Sequence, residues 1–155
     1  MPDRKLQFLH DWEYDHWSNE RYLTFVEEHQ IDNERVNRIC GHILVAQVLW
    51  IKRIRPVEIG NFSLWENYSL GEMKKLSETS YALWKNFLNE YPDNEFSKII
   101  PYTNTQGLAF ETPVNEIVRH VLYHGAYHRG QLAILIRDLG FTPPYTDYVA
   151  FVRGQ

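Results

Sequence analysis

Apolar residues recur every third or fourth position along four stretches of the chain, the spacing of amphipathic helices. The first runs from about Leu6 to His29 through Leu6, Leu9, Trp12, Trp17, Tyr22, Phe25 and Val26. Gln30 to Asn33 breaks it. Asp32 or Asn33 can cap the next helix, with Glu34 in its first turn favoured by the helix dipole. That second helix carries Val36, Ile39, Ile43, Ala46, Leu49/Trp50 and Ile54, and Pro56 stops it after Arg55. A connector from Pro56 to Tyr68 follows, with Gly60 and several aromatics. SLGE, Ser69 to Glu72, has the form of a capping box and opens a third helix that reaches about Glu90.

Tyr91-Pro92-Asp93-Asn94 ends the third helix. Ile99 to Pro113 then holds two short runs flanking Asn104-Thr105-Gln106-Gly107, which predicts a β-hairpin near residues 99–111 with Gly107 at positive φ. Thr112 is expected to cap a fourth helix, with Pro113 at its first position. The pattern carries that helix to about Leu139. Gly140 suits its end, and Pro143-Pro144 prevent it from resuming. The tail reads as a short packed extension. No internal repeat and no second domain is visible. The expectation is one all-α domain over residues 1–155: an antiparallel four-helix bundle with a β-hairpin between helices three and four.

The balance of 16 Lys and Arg against 20 Asp and Glu gives a formal net charge of −4 with no basic block. A nucleic-acid partner is therefore not expected. The longest apolar run, Ile43 to Ile51, is too short to cross a bilayer, so no membrane association is expected. The N-terminus has no signal-peptide pattern, and Cys40 is the only cysteine, which fits a reducing, cytoplasmic setting. Aromatic residues are abundant at 15 %, pointing to an aromatic-rich core or pocket.

Chemistry concentrates in the fourth helix. Val114, Ile117, Val121, His124, His128, Gln131 and Leu135 follow alternating steps of three and four, a core-facing seam whose middle is polar. His120, His124 and His128 are spaced four apart. Neighbours at that spacing lie about 5–6 Å apart at Cβ, close enough for two imidazoles to share one ion. Residues eight apart fan about 80° around the axis, so one ion takes either His120/His124 or His124/His128. Spacing alone does not choose between them; the seam favours the second. A third ligand must come from another helix. His42, on the apolar stripe of the second, is the best candidate, whereas Cys40 is rotated about 200° away from it. A single histidine on an apolar face is ordinarily a hydrogen-bonded core residue. The coincidence of three on buried seams is what points to a metal.

HVLYHGAYHRGQLAILIRDLG, His120 to Gly140, resembles the signature helix of the DinB-like (DinB/YfiT) four-helix-bundle metalloproteins. YDHWSNERYL (Tyr14 to Leu23), GHILVAQVLW (Gly41 to Trp50), PYTNTQGLAFETPVNEIVRH (Pro101 to His120) and TDYVAFVR (Thr146 to Arg153) resemble its other segments, so nearly the whole chain is covered. The resemblance implies one divalent ion, nickel or zinc, bound by one histidine of the second helix and two of the last, which by motif are His42, His124 and His128. It implies a homodimer, as does the aromatic content. It also implies a possible thiol S-transferase with a small thiol cosubstrate of the bacillithiol, mycothiol or glutathione kind.

Three further residues are expected around the ligands: His120, orienting a ligand or donating to a backbone carbonyl as a core histidine, Gln131, flanking the site behind the ligands, and Arg129, holding an anionic substrate or pairing with a neighbouring helix. His10, His16 and His29 are read as solvated or at helix ends, and Asp11 and Asp15 as a wet face. Trp12, Trp17, Trp50 and Trp65 are read as packing. Two function classes stay open. One is a metal-dependent enzyme, with thiol transfer ahead of hydrolysis on the resemblance. The other is a stress-related helical protein that binds metal without turnover.

Overall fold

Four apolar stripes need faces to bury against, and the computed structural model, which describes residues 3–155, pairs them as a bundle. Helix α1 spans Arg4–Glu28, α2 Glu34–Ile54, α3 Leu70–Glu90 and α4 Val114–Asp138. Strands β1 (Ile99–Thr103) and β2 (Ala109–Pro113) form an antiparallel hairpin between α3 and α4, and a short α5 (Tyr148–Val152) lies near the end. The local signals act as expected. Asn33 Oδ1 accepts from the Arg35 and Val36 amides at 3.0 and 3.1 Å. Ser69 and Glu72 close a reciprocal capping box. Gly107 and Gly140 adopt φ of +79° and +88°, where a side chain would be unfavourable.

The entry to α4 differs from the sequence reading. Pro113 ends β2 opposite Ile99 and serves as the N-cap, so the helix begins one residue later than expected. Thr112 does not cap it; its hydroxyl lies 3.2 Å from that of Tyr102 across the hairpin. The first free amides of α4 are met by backbone instead: Val114 N–H donates to the Lys98 carbonyl and Asn115 N–H to that of Phe96. Helix ends need partners for their amides, but these need not be side chains.

Side-chain pairings give the helix directions. Lys5 reaches Asn89, Glu13 meets Tyr81 and Lys85, and Lys74 pairs with Glu27, so α1 and α3 are antiparallel. The contacts His42 with His128 and Trp50 with His120 make α2 and α4 antiparallel as well. Ser80 meets Gln47 and Glu90 meets Arg55, so α2 and α3 run parallel. This is the consequence of the crossover from Pro56 to Ser69, which carries the chain back along the bundle before α3 begins.

Two apolar clusters fill the interior. One gathers Tyr22, Val26, Val36, Leu44, Met73, Leu132 and Ile136; the other gathers Phe8, Trp12, Trp84, Phe87, Ile117 and Val121. Between them lies a polar layer to which all four long helices contribute. Arg129 of α4 donates to Asp15 Oδ1 and Asn19 Oδ1 of α1 at 2.7 and 2.8 Å. Gln47 of α2 donates to Asp15 Oδ2 at 2.6 Å, and Ser80 of α3 donates to Gln47 at 2.7 Å. Asp15 is only 1 % exposed, so its place on a wet face is corrected. The signal was present: Phe8, Trp12, Asp15, Asn19, Tyr22 and Val26 advance in alternating steps of four and three, a buried seam with polar residues at its centre. Gly125 makes room for this layer, because a Cβ there would lie 2.6 Å from Asp15 Oδ1.

Candidate metal centre

His42 projects from the middle of α2, and His124 and His128 from adjacent turns of the antiparallel α4. Their Nε2 atoms face one another. His124 Nε2 is 3.0 Å from that of His42 and 3.2 Å from that of His128, and all three lie within 4.8 Å of one another. Nitrogen ligands bound tetrahedrally to one zinc at about 2.0–2.1 Å lie about 3.3 Å apart. Two of the three separations match that value, and small side-chain rotations of His42 and His128 would close the third around one ion.

Their remaining nitrogens explain why they point this way. His42 Nδ1 lies 3.0 Å from the Leu64 carbonyl oxygen, and a carbonyl can only accept, so Nδ1 carries the proton and Nε2 the lone pair. His128 Nδ1 lies 2.7 Å from Gln131 Oε1, with the same consequence. Trp65 lies parallel to the His42 ring at 3.6 Å between centroids and fixes its plane. Leu64 and Trp65 belong to the crossover, and Tyr68 at its end packs against Gly41, where a Cβ would come within 2.5 Å of the ring. The crossover thus approaches α2 closely enough to hold its histidine.

The other sequence candidates divide. Gln131 sits beside a ligand as expected. His120 is exposed, its ring 5.6 Å from that of His124 and 4.8 Å from Trp50; among the described residues it makes no hydrogen bond to the three histidines. Arg129 is not at the site. Successive helix residues point about 100° apart, which turns Arg129 from the histidines into the polar layer, where its ion pair with a neighbouring helix forms. Cys40 is buried in the apolar core, and burial pushes its thiol up to about 12. His10 and His29 are exposed, while His16 is half-buried against Tyr81 at 4.0 Å. Trp12 packs in the core, but Trp50 and Trp65 stand against site histidines. Nothing in the periodicity marks Leu64 or Trp65, because the crossover is aperiodic.

The DinB family model matches residues 5–155. The chain belongs to the DinB family. It is similar to the protein DinB of Bacillus subtilis (strain 168), 22 % identical over 152 residues that cover 88 % of each chain. It is also similar to the uncharacterized protein YizA of the same organism, 23 % identical over 149 residues covering 89 % of this chain and 91 % of that one. This DinB-family bundle has no helix, among the described residues, long and apolar enough to cross a membrane.

Burial gives the candidate centre a pH signature. It lowers His42 to about 4, helped by neighbouring His128, and lowers His124 to about 3, helped by His128 and His42. The unfolded chain takes up protons on both near pH 6.5, whereas the folded protein resists them until about pH 4. Stability of the metal-free protein is therefore expected to be full above pH 6.5 and to fall as pH drops towards 4, by on the order of 2 kcal/mol from these groups. Urea midpoints in chelator at pH 7.5, 6 and 5 measure it. His124→Leu, with one titrating group fewer, should lose less over the same range; an equal loss would remove the histidines as its source.

Proposed function

We propose that the protein binds one divalent ion, nickel or zinc, through His42, His124 and His128, and uses it in an enzymatic reaction of the thiol S-transfer type with a small thiol cosubstrate. The observation that carries the metal reading is the convergence of three Nε2 atoms, two of them with Nδ1 anchored outward. The three can hold an ion, and no fourth His, Cys, Asp or Glu joins the group among the described residues. Three protein ligands suit a centre with a position left for a reactant better than a closed structural one. When bound, such an ion supplies Lewis acidity, lowering the pKa of a coordinating water or thiol. The protein's own part is to present neutral imidazoles, to hold them through Leu64 and Gln131, and to flank the site with Trp65. Because His42 and His124 resist protonation, metal retention is expected to persist below the pH of roughly 6.5 that ordinary histidines would set.

Metal-dependent hydrolysis is the alternative reaction. Metal binding without turnover, with the ion fastening α2 to α4, is the alternative class. Metal analysis of protein purified without an affinity tag should find about one equivalent per chain. A screen with small thiols and electrophilic acceptors then separates the readings: thiol consumption dependent on the metal supports transfer, and its absence with the metal bound supports the others.

We further propose a homodimer, working in the cytoplasm. The support for the dimer is the outer face of α4, where Tyr123, Tyr127 and Ile134 are exposed. Sedimentation is expected to show a dimer at micromolar concentration, and a clean monomer would overturn this.

A further inference from the structure

Arg53 is on the same face of α2 as His42, eleven residues and three turns further on. Its guanidinium lies 4.2 Å from the centroid of Trp50 and 4.9 Å from that of Tyr102, held by two aromatic rings. Among the described residues no carboxylate pairs with it. Arg38, Arg55, Arg119 and the buried Arg129 each have an acidic partner, whereas Arg4, Arg21, Arg35, Arg137 and Arg153, like Arg53, have none among the described residues; what sets Arg53 apart is its place between two rings on the His42 face of α2. Arg53 is half-buried, and its partly desolvated charge is met by the two ring faces but by no carboxylate. Ordered, planar and unpaired, it is suited to a ligand with two coplanar oxygens.

Its position relates it to the histidines. Long side chains on a helix lean towards the N-terminus, which on α2 is the direction of His42. Trp50, beneath the guanidinium, contacts His120, and His120 is one turn from His124 on α4. Arg53, His120 and the three histidines are thus linked in sequence along α2 and α4 by these ring contacts.

We propose that Arg53, with His120 beside it, is the recognition site for a carboxylate on the thiol that the metal centre takes, so that the cosubstrate is an anionic thiol with its two ends on the order of 10 Å apart. This rests on the metal reading above. It gives a role to His120, which makes no hydrogen bond to the other histidines, and defines Arg53 as a specificity-determining residue. The aromatic walls favour a ligand whose middle is apolar or flat.

The test uses full-length protein loaded with cobalt(II), titrated with 6-mercaptohexanoate or with the uncharged 6-mercaptohexan-1-ol and followed by the thiolate-to-cobalt charge-transfer band. The acid is expected to bind about tenfold more tightly than the alcohol. Arg53→Gln should abolish that preference while cobalt content and affinity for the alcohol stay unchanged, and Arg53→Lys should restore part of it. 3-Mercaptopropionate, too short to span the distance, should be indifferent to Arg53→Gln. Equal binding of acid and alcohol, or a preference that survives Arg53→Gln, overturns the assignment and leaves the metal reading standing. Failure to take up cobalt overturns the metal reading and this inference with it.

Discussion

His124→Ala is expected to strip the protein of stoichiometric metal while its helices remain folded. His124 is the middle member of the three, with its Nε2 3.0 and 3.2 Å from the other two. Without it, two imidazoles face each other across a gap with nothing to complete the coordination. His128→Ala should do the same, since it removes the ligand whose Nδ1 Gln131 anchors. The fold should survive because neither apolar cluster includes these histidines. His120→Ala, outside the converging set, should weaken binding by at most about ten- to a hundredfold. Metal analysis after dialysis, read beside far-ultraviolet circular dichroism, decides the matter. If His120→Ala removes the ion and His128→Ala does not, the adjacent pair has been misassigned. If all the histidine variants keep full metal, the ion sits elsewhere.

Asp15→Ala is expected to destabilise the protein by about 3–5 kcal/mol, because it leaves the Arg129 charge buried without its partner. It also removes the acceptor for Gln47 and Asn19, so the loss reaches α2 as well as α4. Replacing both members, as Asp15→Leu with Arg129→Met, should recover much of the stability, since the charge is then gone rather than stranded. By contrast, Glu34→Ala breaks only an exposed pair with Arg38 and should cost less than about 1 kcal/mol. Urea unfolding measures all of these. An Asp15→Ala cost near that of Glu34→Ala would mean that the polar layer contributes little to stability.

The four helices, the caps of α2 and α3 and the hairpin were legible in the residue order for a local reason. Helical period is set by the neighbours three and four positions away, a capping box by four consecutive residues, and a tight turn by one glycine. Asn33, the Ser69–Glu72 box, Gly107 and Gly140 act within that range, and so their places could be read without knowing what packs where. The polar centre of the α4 seam is local in the same sense. It named His124 and His128, and the DinB-like motif led to the same pair with His42.

What depended on the tertiary structure was everything that requires knowing which faces meet. Asp15 and Arg129 are 114 residues apart; the α1 seam marks Asp15 as buried, but only the packing of α1 against α4 makes Arg129 its partner. Arg129 neighbours a histidine in sequence yet points away from it, because one helical step turns a side chain by about 100°. The Leu64 carbonyl and the Trp65 ring, which orient His42, come from a crossover with no periodicity to read, placed by the parallel course of α2 and α3. The sequence by itself determined the elements and the histidines they carry. The three-dimensional packing decided how those histidines are held and which charges lie beside them, because both are set by contacts between segments distant along the chain.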